Sequence, residues 1–224
     1  MSRYVYALLA ERPRGEAGEG LQSEPLAFLR VEGLLAAVGE LPAAPPVTRA
    51  TLLAHDAVVR RLASSVDAIL PVQFGTVVED EAALAEAITP RMARLHAALA
   101  RVAGREQMTL RVFGEATGTD HAPSIDPALG PGARYLDARR RMHGAAAVPE
   151  LGPLRQALAP MVRAEHVERH ARPPLVASVY HLIDRGRADA YRTAIAETAV
   201  ALAPMRVTAS GPWPPYAFAR ESLS

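Results

Sequence analysis

Apolar positions along this chain recur at two periods, and each change of period marks an element. Residues 4–9 form an aromatic and aliphatic run closed by Glu11-Arg12-Pro13-Arg14-Gly15, which predicts a first strand and then a Gly/Glu-rich loop to Gly20. Two further apolar runs, 26–31 and 34–38, are separated only by Glu32-Gly33, a spacing that predicts a tight hairpin. After Pro42-Ala43-Ala44-Pro45-Pro46, Thr48 or Thr51 can cap a helix running to about residue 66, with Leu52, Val59, Leu62 and Val66 as its buried stripe.

The run 68–74 reads as a short core strand broken at Gly75, and Pro71 places it at an edge or a bulge because proline cannot donate to a ladder. From Glu81 to about residue 102, Leu84, Ile88, Met92, Leu95, Leu99 and Val102 make one apolar face, so this helix is expected to cover the sheet. A strand over 109–113 follows. Between Gly114 and Gly132 the chain is rich in Gly, Pro, Asp and Thr without periodicity, which predicts a domain boundary. The expected division is an N-terminal domain over 1–114, a linker over 115–131 and a C-terminal domain over 132–224.

In the second half, residues 132–141 read as a helix that carries Arg139, Arg140 and Arg141 around its girth, so at least one faces protein or a partner. A helix is expected over about 149–170, with Leu151, Leu154, Leu158, Met161 and Val162 inward and Pro153 and Pro160 bending or splitting it. Residues 175–183 form a strongly β run, followed by a helix to about 202 with Tyr191, Ile195 and Leu202 inward. The alternation at 205–209 then predicts a last strand, half buried, and prolines extend the tail around Trp213.

Composition narrows the function more than the pattern does. The 224 residues are half hydrophobic, enough for one large or two small cores, and the net charge is +1. No strong field exists to collect nucleic acid or an anionic membrane, and the strands lack the aromatic pair of an RNA-recognition sheet. All 25 basic residues are Arg, which reads first as coding bias and second as guanidinium forks suited to carboxylate pairs. Cysteine is absent, so thiolate chemistry and disulfides are excluded. No apolar run approaches the ~18 residues of a membrane span, and the expectation is a soluble cytoplasmic protein.

Candidate chemistry is sparse. His55 falls on or beside the stripe of its helix and is expected as a packed histidine. Glu79, Asp80 and Glu81 sit where a helix dipole favours carboxylates, so they read as an N-terminus and not as a metal cluster. His121 and Asp126 lie in the aperiodic loop, and His166 with His170, at i, i+4 on the expected helix, could chelate a metal but have only Glu165 and Glu168 as nearby oxygens, so no metal site is expected there. Gly15-Glu16-Ala17-Gly18-Glu19-Gly20 is acidic and lacks the Lys of a phosphate loop, and no serine has an elbow motif. No catalytic site, cofactor site or metal site is predicted. Protein-protein interaction is the default role.

Four segments carry a resemblance. Tyr4-Val5-Tyr6-Ala7, Leu70-Pro71-Val72-Gln73-Phe74-Gly75-Thr76-Val77, Gly132-Ala133-Arg134-Tyr135-Leu136 and Gly211-Pro212-Trp213-Pro214-Pro215-Tyr216-Ala217-Phe218 occur in the order found in the GvpL/GvpF family of gas vesicle proteins, which this chain resembles. The family usually has Arg where this chain has Gln73. The resemblance implies an α+β fold of two domains, an N-terminal mixed sheet domain and a C-terminal variant of the ferredoxin-like fold. It also implies a non-enzymatic accessory protein of gas vesicles, the hollow shells that give buoyancy. Such a protein binds the hydrophobic shell-forming subunit and other accessory proteins during assembly.

The partner-binding residues expected on this basis are Arg139, Arg140, Val176, Val207 and Trp213, with the 175–183 run and the strand near Val207 as exposed sheet edges. A competing reading, an enzyme or ligand-binding protein, would line a cleft between the domains with His55 or Arg139 to Arg141.

Overall fold

The aromatic opening run becomes β1 (Ser2–Leu9), and its neighbours follow from where its backbone groups find partners. In the computed structural model, which describes residues 2–16, 18–114 and 151–219, β2 (Leu26–Val31) and β3 (Leu34–Leu41) form the expected antiparallel hairpin, turning at Glu32 and Gly33 with φ of 48° and 90°. Two successive positive φ values give the backbone twist that matches paired strands. β3 pairs antiparallel with β1, β1 with β4 (Ile69–Pro71), and β1 also with β5 (Val77–Val78). The order β2-β3-β1-β4 leaves Pro71 on an edge strand, as its missing donor requires. The register of β1 against β3 shifts between Val5 and Ala7, a bulge at Tyr6.

Helix α1 (Arg49–Ser65) starts from a capping box in which Thr48 and Thr51 satisfy each other's backbone N–H groups. Its buried residues are His55, Val58, Val59 and Leu62. Leu52, expected on that stripe, is instead exposed. The helix expected from Glu81 is two: α2 (Glu81–Ile88) and α3 (Met92–Val102), joined by a 3-10 turn holding Pro90. Proline removes the intrahelical donor there, yet Leu84, Ile88, Leu95, Leu99 and Val102 all stay buried. Asp80 caps α2 by accepting from Ala83 N–H at 2.8 Å, which accounts for the acidic group as a helix start.

A second sheet holds β6 (Arg105–Phe113), β7 (Val162–Arg169), β8 (Leu175–Asp184) and β9 (Arg206–Trp213) in the order β7-β8-β6-β9. Helix α4 (Gly152–Leu158) precedes β7, and α5 (Ala188–Thr198) connects β8 to β9. In chain order the four strands lie 2-3-1-4, the arrangement of a split βαβ, ferredoxin-like unit. The fold is α+β.

Two expectations are corrected. The helix over 149–170 ends at Leu158, and residues 162–169 form β7; Pro160 stops the helix, and the apolar spacing that carried it on to Met161 and Val162 is overridden by pairing with β8. The 175–183 run is not an edge: β8 lies between β7 and β6, so Val176 is on an interior strand. Among the described residues the edge strands of this sheet are β7 and β9.

The chain divides into two compact units, one of Met1–Gln107, Leu182–Arg185 and Pro212–Ser224, the other of Met108–His181 and Gly186–Gly211. The boundary expected at 115–131, His121, Asp126, and the 132–141 segment with Arg139, Arg140 and Arg141 lie outside the described residues.

Gly75 tests the turn after β4. Its φ is +90° and a Cβ there would meet nothing within 4 Å, so only backbone strain opposes a side chain. Gly75→Ala is expected to lower unfolding free energy by ~1–2 kcal/mol, measured by denaturant titration; an unchanged midpoint would show that the turn relaxes freely.

Candidate partner-binding surfaces

Helix α1 is where three of the four motif segments meet, and its sequence explains how. His55 is 4% exposed and packs between β1 and the β4–β5 turn. Its Nδ1 lies 2.9 Å from the Tyr4 hydroxyl, which also accepts from Gly75 N–H at 3.2 Å. With Nδ1 accepting, the Tyr4 hydroxyl donates to His55 and its lone pair remains for Gly75. Rings of Tyr6 and Phe74 stand 5.6 Å from the imidazole, and Tyr4 and Tyr6 are 4.8 Å apart edge to face. Burial pushes the His55 pKa down to about 4, against the smaller opposing effects of Asp56 and a backbone hydrogen bond to Val72. The same burial raises the Tyr4 phenol to about 12.

Tyr6, in the same cluster, directs its hydroxyl to the loop before β2. Its hydroxyl donates to Glu24 and accepts from Leu21 N–H at 2.8 Å, while Glu24 also accepts from Gln22 N–H. This anchors the loop before β2 onto the sheet. Gly20 and Gly39 leave room for it, since a Cβ at either would lie within 2.4 Å of the Glu24 carboxyl. The first two motifs therefore build one folded cluster, and the cluster is structural. As for the cleft reading, His55 is a core residue and lines no opening.

One residue on, Asp56 Oδ1 accepts from Tyr216 at 2.8 Å and Oδ2 from Arg60 Nε at 2.6 Å. The Arg60 guanidinium lies 4.1 Å over the Trp213 ring, a cation–π contact. Ala217 N–H donates to Gln107, and Phe218 is buried. After the Pro212 to Pro215 segment the tail turns in a 3-10 helix over Tyr216–Phe218, and these contacts hold it on α1 and β6. A groove of about 250 Å3 opens beside it, lined by Arg60, Ala63, Ser64, Arg105, Glu106 and the Pro212 to Pro215 segment. Trp213 thus stands partly exposed on a groove, clasped by an arginine. Sequence reasoning singled out Trp213 but missed Asp56 and Arg60, whose i, i+4 spacing was the available signal.

In the second sheet, β9 is the outer described strand beside β6, and its residues alternate exposed and half-buried from Arg206 to Trp213, with Val207 half-buried. An edge strand presents backbone N–H and C=O groups on its outer side. On the opposite edge, His166 stacks on Tyr180 and His170 Nε2 lies 2.9 Å from Ser178 Oγ. Four residues along a strand span roughly 13 Å, so these histidines do not chelate together. Among the described residues no group of three or more acidic or histidine side chains is placed to hold a metal.

The sequence reading also missed a relay that runs from the core to the surface. His181, 2% exposed, holds the Tyr191 hydroxyl at 2.7 Å on Nδ1 and Glu165 Oε2 at 2.9 Å on Nε2. Arg155 contacts both Glu165 oxygens, at 3.2 and 3.1 Å. The His181 hydrogen bond, and after it Arg155, hold the Glu165 pKa down to about 2 against burial. A lone histidine inside an apolar β run was its sequence signature. The relay ties β7 to β8, α4 and α5.

The comparisons with known proteins agree along the chain. The sequence model described as "Gas vesicle synthesis protein GvpL/GvpF" matches residues 2–220. The chain belongs to the GvpL/GvpF family. Gas vesicle protein L of Streptomyces sp. (strain CB03234) is 29% identical to it, over 97% of this chain and 92% of that protein. Crystal structures of GvpF share its fold: that of Anabaena sp. PCC7120 with a TM-score of 0.73 at 16% identity, covering 100% of this chain and 97% of the other, and that of Microcystis aeruginosa with 0.73 at 14%, covering 98% and 99%. No helix among the described residues of this GvpL/GvpF protein is long and apolar enough to cross a membrane.

Proposed function

We propose that this protein is a non-enzymatic accessory component in gas vesicle assembly, acting in the cytoplasm and at the vesicle, that binds the hydrophobic shell-forming subunit and other accessory proteins. The observation that carries the reading is the family match over residues 2–220. A shell subunit with a water-repelling face aggregates when free, and a partner that covers that face delivers it to the growing shell.

The binding mode proposed is strand addition at the outer edge of β9, with Val207 on that strand and Trp213 at its end as contacts; the edge position of β9 supports it. Arg139 and Arg140 remain proposed as cationic contacts on sequence grounds.

Co-expression with the shell-forming subunit tests the role: the subunit is expected to stay soluble and to co-purify, and aggregation as in the absence of this protein would overturn it. The mode is tested by Val207→Pro and Thr208→Pro. Neighbouring residues of an edge strand aim their N–H groups alternately at the sheet and at solvent, so one variant breaks the ladder and the other leaves it intact. The variant that keeps the wild-type melting temperature is expected to retain about tenfold less subunit, roughly 1.4 kcal/mol. Equal retention would refute strand addition.

A further inference from the structure

The four large apolar side chains exposed among the described residues are Val47, Leu52, Leu53 and Val200, and three of them fall within seven positions at the start of α1. A single exposed leucine needs no explanation, whereas a contiguous group does. The plain explanation is a hydrophobic staple, in which the residue before the N-cap packs on the fourth helical residue, here Val47 on Leu52. That packing would bury both. Val47 is 80% exposed, Leu52 43% and Leu53 57%.

Ala50, Leu53 and Ala57 follow one another at helical spacing and are all exposed, so α1 has a second apolar stripe facing away from its His55, Val58, Val59 and Leu62 face.

The charge beside this stripe is as informative. Arg49 is the first residue of α1, and the first turn holds no acidic residue. A cation at the positive end of a helix dipole is placed against the field, and a carboxylate is what that end favours. No carboxylate among the described residues pairs with Arg49, which is exposed. An apolar strip that ends in a guanidinium without a carboxylate partner among the described residues is complementary to an apolar strip that ends in a carboxylate.

We propose that the outer face of α1 from Val47 to Ala57 is a docking surface for an amphipathic helix of the shell-forming subunit, one whose apolar stripe is flanked by an Asp or Glu that meets Arg49. This rests on the reading that the protein binds that subunit, and adds a second contact, by helix docking, to the strand edge. Leu53 and Val47 fill the partner's stripe, and Arg49 sets its direction, because the partner's carboxylate must lie at the N-terminal end of α1. The partner keeps its own backbone hydrogen bonds in this mode.

The experiment uses the full chain co-expressed with affinity-tagged shell-forming subunit, reading the amount of chain that co-purifies, together with the melting temperature and the sedimentation coefficient of the chain alone. The variants are Val47→Ser with Leu53→Ser, Arg49→Glu, and Arg49→Lys. The serine pair and Arg49→Glu are each expected to lower co-purification at least tenfold at unchanged melting temperature, while Arg49→Lys retains most of it. If wild type and the serine pair co-purify equally, the α1 surface is refuted while the assembly role stands. If Arg49→Glu alone has no effect, the carboxylate partner is refuted. If wild type itself fails to co-purify, the assembly reading falls and this surface with it. If wild type is dimeric alone and the serine pair is monomeric with subunit binding intact, the face is a contact between copies, which also overturns the proposal.

Discussion

Tyr4→Ala is expected to lower the unfolding free energy by about 4 kcal/mol, in the range for deleting a buried aromatic side chain. Tyr4 is fully buried and its ring meets Tyr6, Phe74 and His55 at 4.8, 6.2 and 5.7 Å. Deletion opens a cavity that β1 cannot close, because the strand is paired with β3, β4 and β5. It also strands the buried acceptor on His55 and the half-buried Gly75 N–H, and an unmade buried hydrogen bond costs about 1–3 kcal/mol. Tyr4→Phe separates the two effects: the ring remains, and only the stranded groups are felt, so a loss of ~1–2 kcal/mol is expected. Denaturant titration of both variants checks this. A loss below about 1 kcal/mol for the alanine variant would mean that the motif cluster does not hold the first sheet together.

Acidification from pH 7 to pH 5 is expected to cost about 2 kcal/mol of stability through His55 alone. The folded pKa is depressed to about 4 from an ordinary 6.5, so the folded protein keeps the ring neutral while the unfolded chain takes up a proton. The neutral-state stability is therefore complete above about pH 7 and declines as pH falls toward 4, at up to 1.36 kcal/mol per pH unit. Glu165 acts lower: its carboxylate, depressed to about 2, contributes stability that is present above about pH 4.5 and lost below it. The two windows are distinct. Unfolding titrations at pH 7, 6 and 5 on wild type and His55→Gln check the prediction, with the slope between pH 7 and 5 reduced in the variant. A variant with the wild-type slope would assign the pH dependence to other groups.

Physically, the motif segments that identify the family differ in what they do. Tyr4 joins β1 to the Phe74-Gly75 turn and to His55 through its hydroxyl, which meets both His55 Nδ1 and Gly75 N–H. Gln73, where the family usually has Arg, is exposed and contributes its backbone carbonyl to Thr76 N–H and Oγ1. Its side chain is free to vary without loss of the turn. The tail motif is held by side chains of α1 that no motif includes, which is why its seat was not visible from the motif alone.

What the sequence determined by itself was what local physics controls. The Glu32-Gly33 hairpin, the Thr48 cap, the Asp80 cap, the edge position of Pro71 and the buried faces of α2 and α3 each depend on a few neighbouring residues, and each stands where its pattern put it. Tertiary structure decided what depends on partners far along the chain. Residues 162–169, expected as the end of a helix, are a strand because they pair with β8, a partner the local pattern does not show. Which strands are edges was equally out of reach: strands 175–184 and 206–213 both read as β, and only the order β7-β8-β6-β9 buries one and exposes the other. The outer stripe of α1 follows the same rule. Leu52 and Leu53 are apolar in any reading, and whether they face core or solvent depends on which side of the helix the sheet covers.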